Sequence, residues 1–256
     1  MLNISKLSVS VDSKKILNNI SLEINQGETL AIIGPNGAGK SSLLKAILSL
    51  YEVDGKIEFN NLDLSKLSFL KRAKLIAYLA QSTTMSLNFQ SHEVIRLGLY
   101  PYRHLLSSQV IGKKVNDIMK LTDVLHLKDQ DYFSLSGGEK QRVQLARVLL
   151  QLNLIDDNEP KLLLLDEHVS HLDIAYQHSI LSLIENLTKA KNLTVIMVLH
   201  DMNLVLKYAN KVAVINHGEL YSVGNTEDVI TEKMINDVYQ MKFVLLPQYN
   251  QGLIMP

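Results

Sequence analysis

The segment Gly34-Pro35-Asn36-Gly37-Ala38-Gly39-Lys40-Ser41 limits what this chain can fold into more than any other feature. It follows a short apolar run, Thr29 to Ile33, and leads into Ser42-Leu43-Leu44-Lys45-Ala46-Ile47-Leu48, whose apolar residues have helical spacing. A buried strand that stops at glycine and passes straight into a helix belongs to α/β architecture. The spacing matches G-x-x-x-x-G-K-[ST] in full, and its small residues let successive backbone N–H groups curl around a phosphate. Lys40 can then reach the β- and γ-phosphates, the Ser41 hydroxyl can ligate Mg²⁺, and the helix start adds its positive dipole end. A chance glycine-rich turn would explain neither the strand nor the helix. Gly34, Pro35, Asn36, Gly37, Ala38, Gly39, Lys40, Ser41 and Ser42 are therefore the candidate nucleotide-binding residues.

The rest of the chain builds on this start. Leu7, Val9 and Val11, then Ile20, Leu22 and Ile24, alternate with polar neighbours and predict two half-buried strands. Ile57 to Phe59, closed by Asn60-Asn61, predicts another. From about Ser91 to Leu150 the pattern is mainly helical, punctuated by Pro101 and Ser107-Ser108. From Lys161 onward, short apolar strands (Leu162 to Leu165, Val195 to Leu199, Lys211 to Ile215) alternate with helical stretches, which implies a largely parallel sheet covered by helices. The expected organisation is one domain. Its nucleotide-binding core spans about 1–90 and 155–256, and a helical insertion spans about 91–154. Asn153 to Pro160 reads as a polar loop before a buried strand.

Three further motifs carry chemistry. Leu162-Leu163-Leu164-Leu165-Asp166-Glu167 would deliver two carboxylates to a sheet edge, with Asp166 placed to bind Mg²⁺ and Glu167 to polarise an attacking water. An isolated Asp-Glu would read as two solvated acids; beside a phosphate loop the catalytic reading prevails. Leu135-Ser136-Gly137-Gly138-Glu139 has capping-box spacing and would start a helix in any case. Its two glycines also permit close backbone approach at a helix N-terminus, a second anion-type site. Two such sites in one chain suggest two chains enclosing the nucleotide. His200 follows a strand directly, and position alone leaves it open as a structural histidine or a γ-phosphate contact.

Composition excludes several alternatives. The chain has 256 residues, with 26 basic and 26 acidic ones, so no global field draws it to nucleic acid or anionic lipid. There is no cysteine, which removes disulfides and thiolate metal sites. The N-terminus lacks a signal-peptide pattern, and the longest apolar runs fall far short of the roughly 20 residues that span a bilayer. A soluble, cytosolic chain is the expectation.

These motifs, in this order, resemble the ATP-binding cassette ATPases over essentially the whole chain, with Leu135 to Glu139 the most specific part. The resemblance implies that Ser136, Gly137 and Gly138 contact the γ-phosphate held by a second copy. It implies that Gln81 contacts Mg²⁺ and senses a permease, and that His200 is the switch histidine. Ser170-His171-Leu172-Asp173 resembles the loop that crosses the dimer interface. The catalytic set is then Glu167, His200 and Gln81, and the Mg²⁺ set Ser41, Gln81 and Asp166. Two positions depart from the pattern. Val11 stands where the family usually stacks an aromatic on adenine, and His168-Val169 stands where Pro-Thr is common.

Leu97-Gly98-Leu99-Tyr100-Pro101-Tyr102-Arg103 is similar to importers of ferric siderophores, vitamin B12 and haem. Gln144 to Leu152, the polar insertion after it, Tyr176-Gln177-His178 and the closing Gly252 to Pro256 look most like haem-import ATPases. The resemblance implies an ATP-hydrolysing, Mg²⁺-dependent homodimer peripheral to the cytoplasmic face of a bacterial inner membrane. Its partners would be a permease dimer and, through it, a periplasmic haem or iron-complex binding protein. It would contact neither nucleic acid nor the transported substrate. A siderophore or B12 importer is the alternative. A soluble cassette acting on nucleic acid would need a second cassette or a coiled-coil insertion, and a GTPase would need a carboxylate where Asn210-Lys211-Val212-Ala213 has alanine.

Overall fold

Apolar alternation places the first strands, and continuous apolar runs place the central ones. The computed structural model describes residues 1–81, 88–153, 159–167, 173–190, 192–241, 244–246 and 253–255. His168, Val169, Ser170, His171 and Leu172, most of the loop after Asn153, and Gly252 and Pro256 lie outside the described residues. The N-terminal elements are β1 (Leu2–Val11), β2 (Lys14–Ile24), β3 (Thr29–Ile33), α1 (Lys40–Ile47), β4 (Asp54–Phe59) and β5 (Leu62–Asp63). There follow α2 (Phe69–Leu75), β6 (Ile76–Leu79), α3 (Ser91–Arg96), α4 (Ser108–Leu121), α5 (Gly137–Leu152), β7 (Lys161–Asp166) and α6 (Ile174–Ala190). Last come β8 (Leu193–Val198), α7 (Met202–Tyr208), β9 (Lys211–Asn216), β10 (Glu219–Asn225), α8 (Thr226–Val229), α9 (Glu232–Tyr239), β11 (Val244–Leu246) and β12 (Leu253–Met255).

The chain forms two units, one of Met1–Leu67 with Leu193–Pro256, the other of Ser68–Asn192. In the first, β1 pairs antiparallel with β2 and β4. The β1–β2 hairpin closes through Asp12 and Ser13, both at positive φ (48° and 63°), as a two-residue turn matched to strand twist requires. Asn60 and Asn61 do the same between β4 and β5, at φ 52° and 62°. Also in this unit, β3 lies between β8 and β9 and runs parallel to both, with β10 antiparallel on β9. Every residue of β3 and β8 is buried, which is why these strands read as unbroken apolar runs. Strand β8 begins two residues before the expected Val195 and ends at Val198.

In the second unit, β6 and β7 pair in parallel, and α5 packs against α3, α4 and β6. The mainly helical pattern from Ser91 to Leu150 is realised as α3, α4 and α5 with short 3-10 turns between them. Ser107 caps α4 by accepting from the Val110 N–H at 3.4 Å. No helix among the described residues is long and apolar enough to cross a membrane. The α/β class, with its antiparallel N-terminal sheet, largely parallel central strands and helical insertion, is the one expected from the sequence.

Candidate functional site

The first unit carries the phosphate loop. Gly34 follows β3 at φ 147°, and a Cβ there would lie 2.0 Å from the Ile215 carbonyl oxygen of β9, so only glycine passes. Gly39, at φ 106°, immediately precedes α1, and a Cβ on it would meet Leu17 Cδ2 at 2.7 Å. No side chain caps α1, and its first turn holds no acid. Its leading N–H groups and dipole therefore suit an anion. The buried Lys40 ammonium donates to the Gly34 and Pro35 carbonyls, each at 2.9 Å, and so folds back over its own loop.

Neighbouring elements hold the loop in place. The Gly218 N–H, in the β9–β10 turn, donates to the Ala38 carbonyl at 2.9 Å, and the Gly218 carbonyl accepts from Asn18 of β2 at 2.8 Å. His217-Gly218, both at positive φ, form the hairpin turn, and Gly after His is the local sequence signal for it. Tyr239 of α9 meets the Gly34 backbone amide; burial pushes its phenol up to about 12, and that amide partly opposes the rise. Sequence reasoning had no means of reaching Tyr239, which lies over 200 positions along the chain.

His200 is exposed, two residues beyond Val198. Val198 pairs with Ile32 in parallel register, and the Leu199 N–H donates to the Ile32 carbonyl at 3.3 Å. Gly34 and His200 thus leave the carboxyl edge of neighbouring strands at the same level, where ligands of parallel α/β sheets bind. Asp201 caps the following helix by accepting from the Asn203 N–H. Val11, the position opposite adenine in the resemblance, is half-buried at the end of β1.

The second unit brings Gln81, Asp166 and Glu167 together. Leu79 pairs with Leu165, so Gln81 and Glu167 stand two residues past a common rung. The Gln81 Nε2 donates to Glu167 Oε2 at 2.7 Å. Asp166 is buried and accepts from the Tyr78 hydroxyl at 2.9 Å, an orienting contact absent from the sequence reading. Glu167 holds φ 49°, a left-handed conformation that costs a non-glycine residue about 1–2 kcal/mol. Such strain on a carboxylate at a strand end marks a constrained position.

Ser136 and Glu139 form the expected capping box. The Ser136 N–H and hydroxyl donate to Glu139 Oε2 at 2.8 and 2.6 Å, and the Glu139 N–H donates to the Ser136 hydroxyl at 3.4 Å. These bonds, with the Ser136 hydroxyl foremost, hold the Glu139 carboxyl below its usual range. A Cβ on Gly137 would meet no atom within 4 Å among the described residues, so packing within the chain does not demand glycine there.

A strand–glycine-loop–helix unit with a lysine-bearing phosphate cradle, and a strand ending in Asp-Glu, define a P-loop nucleotide-binding protein. Residues 17–170 match the family model described as ABC transporter. The chain belongs to that family and binds ATP. It is 44% identical over 95% of its length, and 96% of the relative's, to the hemin import ATP-binding protein HmuV of Shewanella denitrificans. It is 37% identical to the protein of that name from Vibrio parahaemolyticus, covering 93% of this chain and 90% of the relative. Among solved structures, cbiO1 of Clostridium perfringens, part of the ABC transporter complex cbiONQ, is 30% identical with TM-score 0.78, covering 92% of this chain and 94% of that one.

Proposed function

We propose that two copies of this chain bind two ATP between them and drive a membrane permease that imports haem. The observation that carries this is the near full-length 44% identity to a hemin import ATP-binding protein, with the ATPase motifs intact. The roles of individual residues follow from their chemistry. The N–H groups of Gly37 to Ser41 and the start of α1 hold the phosphates. Lys40 exchanges its two carbonyl partners for phosphate oxygens. Glu167 accepts a proton from the attacking water as its oxygen bonds the γ-phosphorus and the bond to ADP breaks, a contribution of about 10²–10⁴-fold. Gln81 holds that carboxylate in position, and His200 contacts the γ-phosphate.

Ser41, Gln81 and Asp166 present only oxygen donors suited to Mg²⁺, a hard cation that takes few protein ligands beside phosphate and water. Bound there, Mg²⁺ would neutralise charge on the β- and γ-phosphates. Ser136, Gly137 and Gly138 serve the nucleotide of the second copy, with residues 91–154 as the helical subdomain that carries them. The chain lies peripherally on the cytoplasmic face of the membrane. A periplasmic haem-binding protein reaches it only through the permease, and it contacts neither the haem nor nucleic acid. Reconstitution with a haem permease tests the proposal: haem should raise ATP hydrolysis in liposomes and enter them. Import of a ferric siderophore or vitamin B12 in place of haem would overturn the cargo, and no ATP-dependent import would overturn the function.

A further inference from the structure

Within the second unit the start of α6 touches α5 at Arg142, on the turn after the signature. The Tyr176 N–H donates to Asp173 Oδ1 at 3.0 Å, which ties the first turn of α6 to the Asp173 carboxylate. The Arg142 guanidinium lies 4.1 Å from the centre of that ring. Its Nη1 also reaches Asp123 Oδ2 at 3.1 Å, but that carboxylate is 87% exposed, so the ion pair is weak. The Arg142 side chain is 14% exposed, so its stack on Tyr176 is the better shielded contact. Glu139 lies one turn before Arg142 on α5, and it is the carboxylate that holds both the Ser136 N–H and its hydroxyl.

We infer that Arg142 and Tyr176 form a joint that locks the signature to the start of α6, so that Ser136 to Gly138 and Asp173 meet the second copy as one body. The inference rests on the two-copy reading above. Tyr176 is 37% exposed, so its removal opens no core cavity, and its ring is explained by the arginine it stacks on. Arg142 and Tyr176 are positioning residues: they act through Ser136 and Asp173 and touch no reacting atom.

The test measures steady-state ATP hydrolysis, fluorescent-nucleotide affinity and ATP-dependent dimer formation in a Glu167→Gln background. Tyr176→Ala should lower kcat about tenfold, the order expected for losing a partly desolvated cation–π contact. The Hill coefficient should fall toward one and the Glu167→Gln dimer should weaken. Nucleotide affinity of the single chain should stay unchanged, because the phosphate loop belongs to the other unit. Tyr176→Phe should restore activity, and Arg142→Gln combined with Tyr176→Ala should be no worse than the more damaging single variant. A Tyr176→Ala protein that turns over at the wild-type rate would overturn the joint, as would losses that multiply in the double variant. Absence of any ATP-dependent dimer from the Glu167→Gln parent would overturn the two-copy reading itself.

Discussion

Replacing Glu167 by glutamine separates the base from the geometry that holds it. In the folded chain Glu167 Oε2 accepts from Gln81 Nε2 at 2.7 Å, and the amide oxygen of glutamine accepts the same bond. Both residues face the same left-handed penalty at φ 49°, so the backbone strain does not change. What weakens is a charge-assisted hydrogen bond, from about 1.5–3 to about 0.5–1.5 kcal/mol. Because Gln81 is exposed, only a fraction of that difference reaches stability. The melting temperature should therefore fall by less than about 4 °C. The catalytic loss is far larger, since an amide cannot take the proton from water: kcat should drop by about 10²–10⁴-fold. Nucleotide affinity should hold, as the phosphate loop is untouched. The assay is phosphate release at saturating Mg²⁺-ATP, paired with equilibrium nucleotide binding. A Glu167→Gln protein that hydrolyses ATP within about threefold of wild type would refute Glu167 as the base.

Val11→Tyr should tighten ATP binding, because stacking on an aromatic is worth about 1–3 kcal/mol per base; an unchanged dissociation constant by titration calorimetry would count against the adenine assignment. Ser136→Ala removes the N-cap of α5, whose hydroxyl accepts at a long 3.4 Å. The cost should lie near the low end of about 0.5–2 kcal/mol, lowering the melting temperature by about 1–2 °C, and scanning calorimetry measures it. Tyr239 has its phenol raised from 10.0 to about 12 in the fold. Its neutral form therefore stabilises fully below pH 10, and that contribution is lost as pH rises from 10 toward 12, because the unfolded chain ionises first. Tyr239→Phe should flatten the fall in melting temperature across that window, and a parallel fall in both proteins would remove Tyr239 as its cause.

Features decided within a few residues were legible in the sequence. The helix start at Ser136 with Glu139 three positions on is a local hydrogen-bond exchange, and the structure shows it closed in both directions. Asn60-Asn61 signalled a turn because both tolerate positive φ. Leu162 to Leu165 marked a strand because burial on both faces removes alternation. The segment Glu219 to Asn225 forms β10 as a partner of β9 without a legible strand signal in the sequence. Its residues are exposed or half-buried, so they give little apolar signal. Helix α9 is only eight residues long and buries Met234, Ile235 and Val238, so its apolar pattern is short, and Tyr239 at its end gains its role from packing alone.

The sequence by itself determined the phosphate cradle, the strand that ends in two carboxylates and the capped glycine turn, because each is a property of consecutive residues. The tertiary structure decided which side chains meet. Parallel pairing of Leu79 with Leu165 brings Gln81 to Glu167, and pairing of Ile32 with Val198 sets His200 level with Gly34. Gly218 pins Ala38, and Tyr239 meets Gly34, from distant parts of the chain. Register and long-range packing are set by the burial of whole faces, so no short window of sequence contains them.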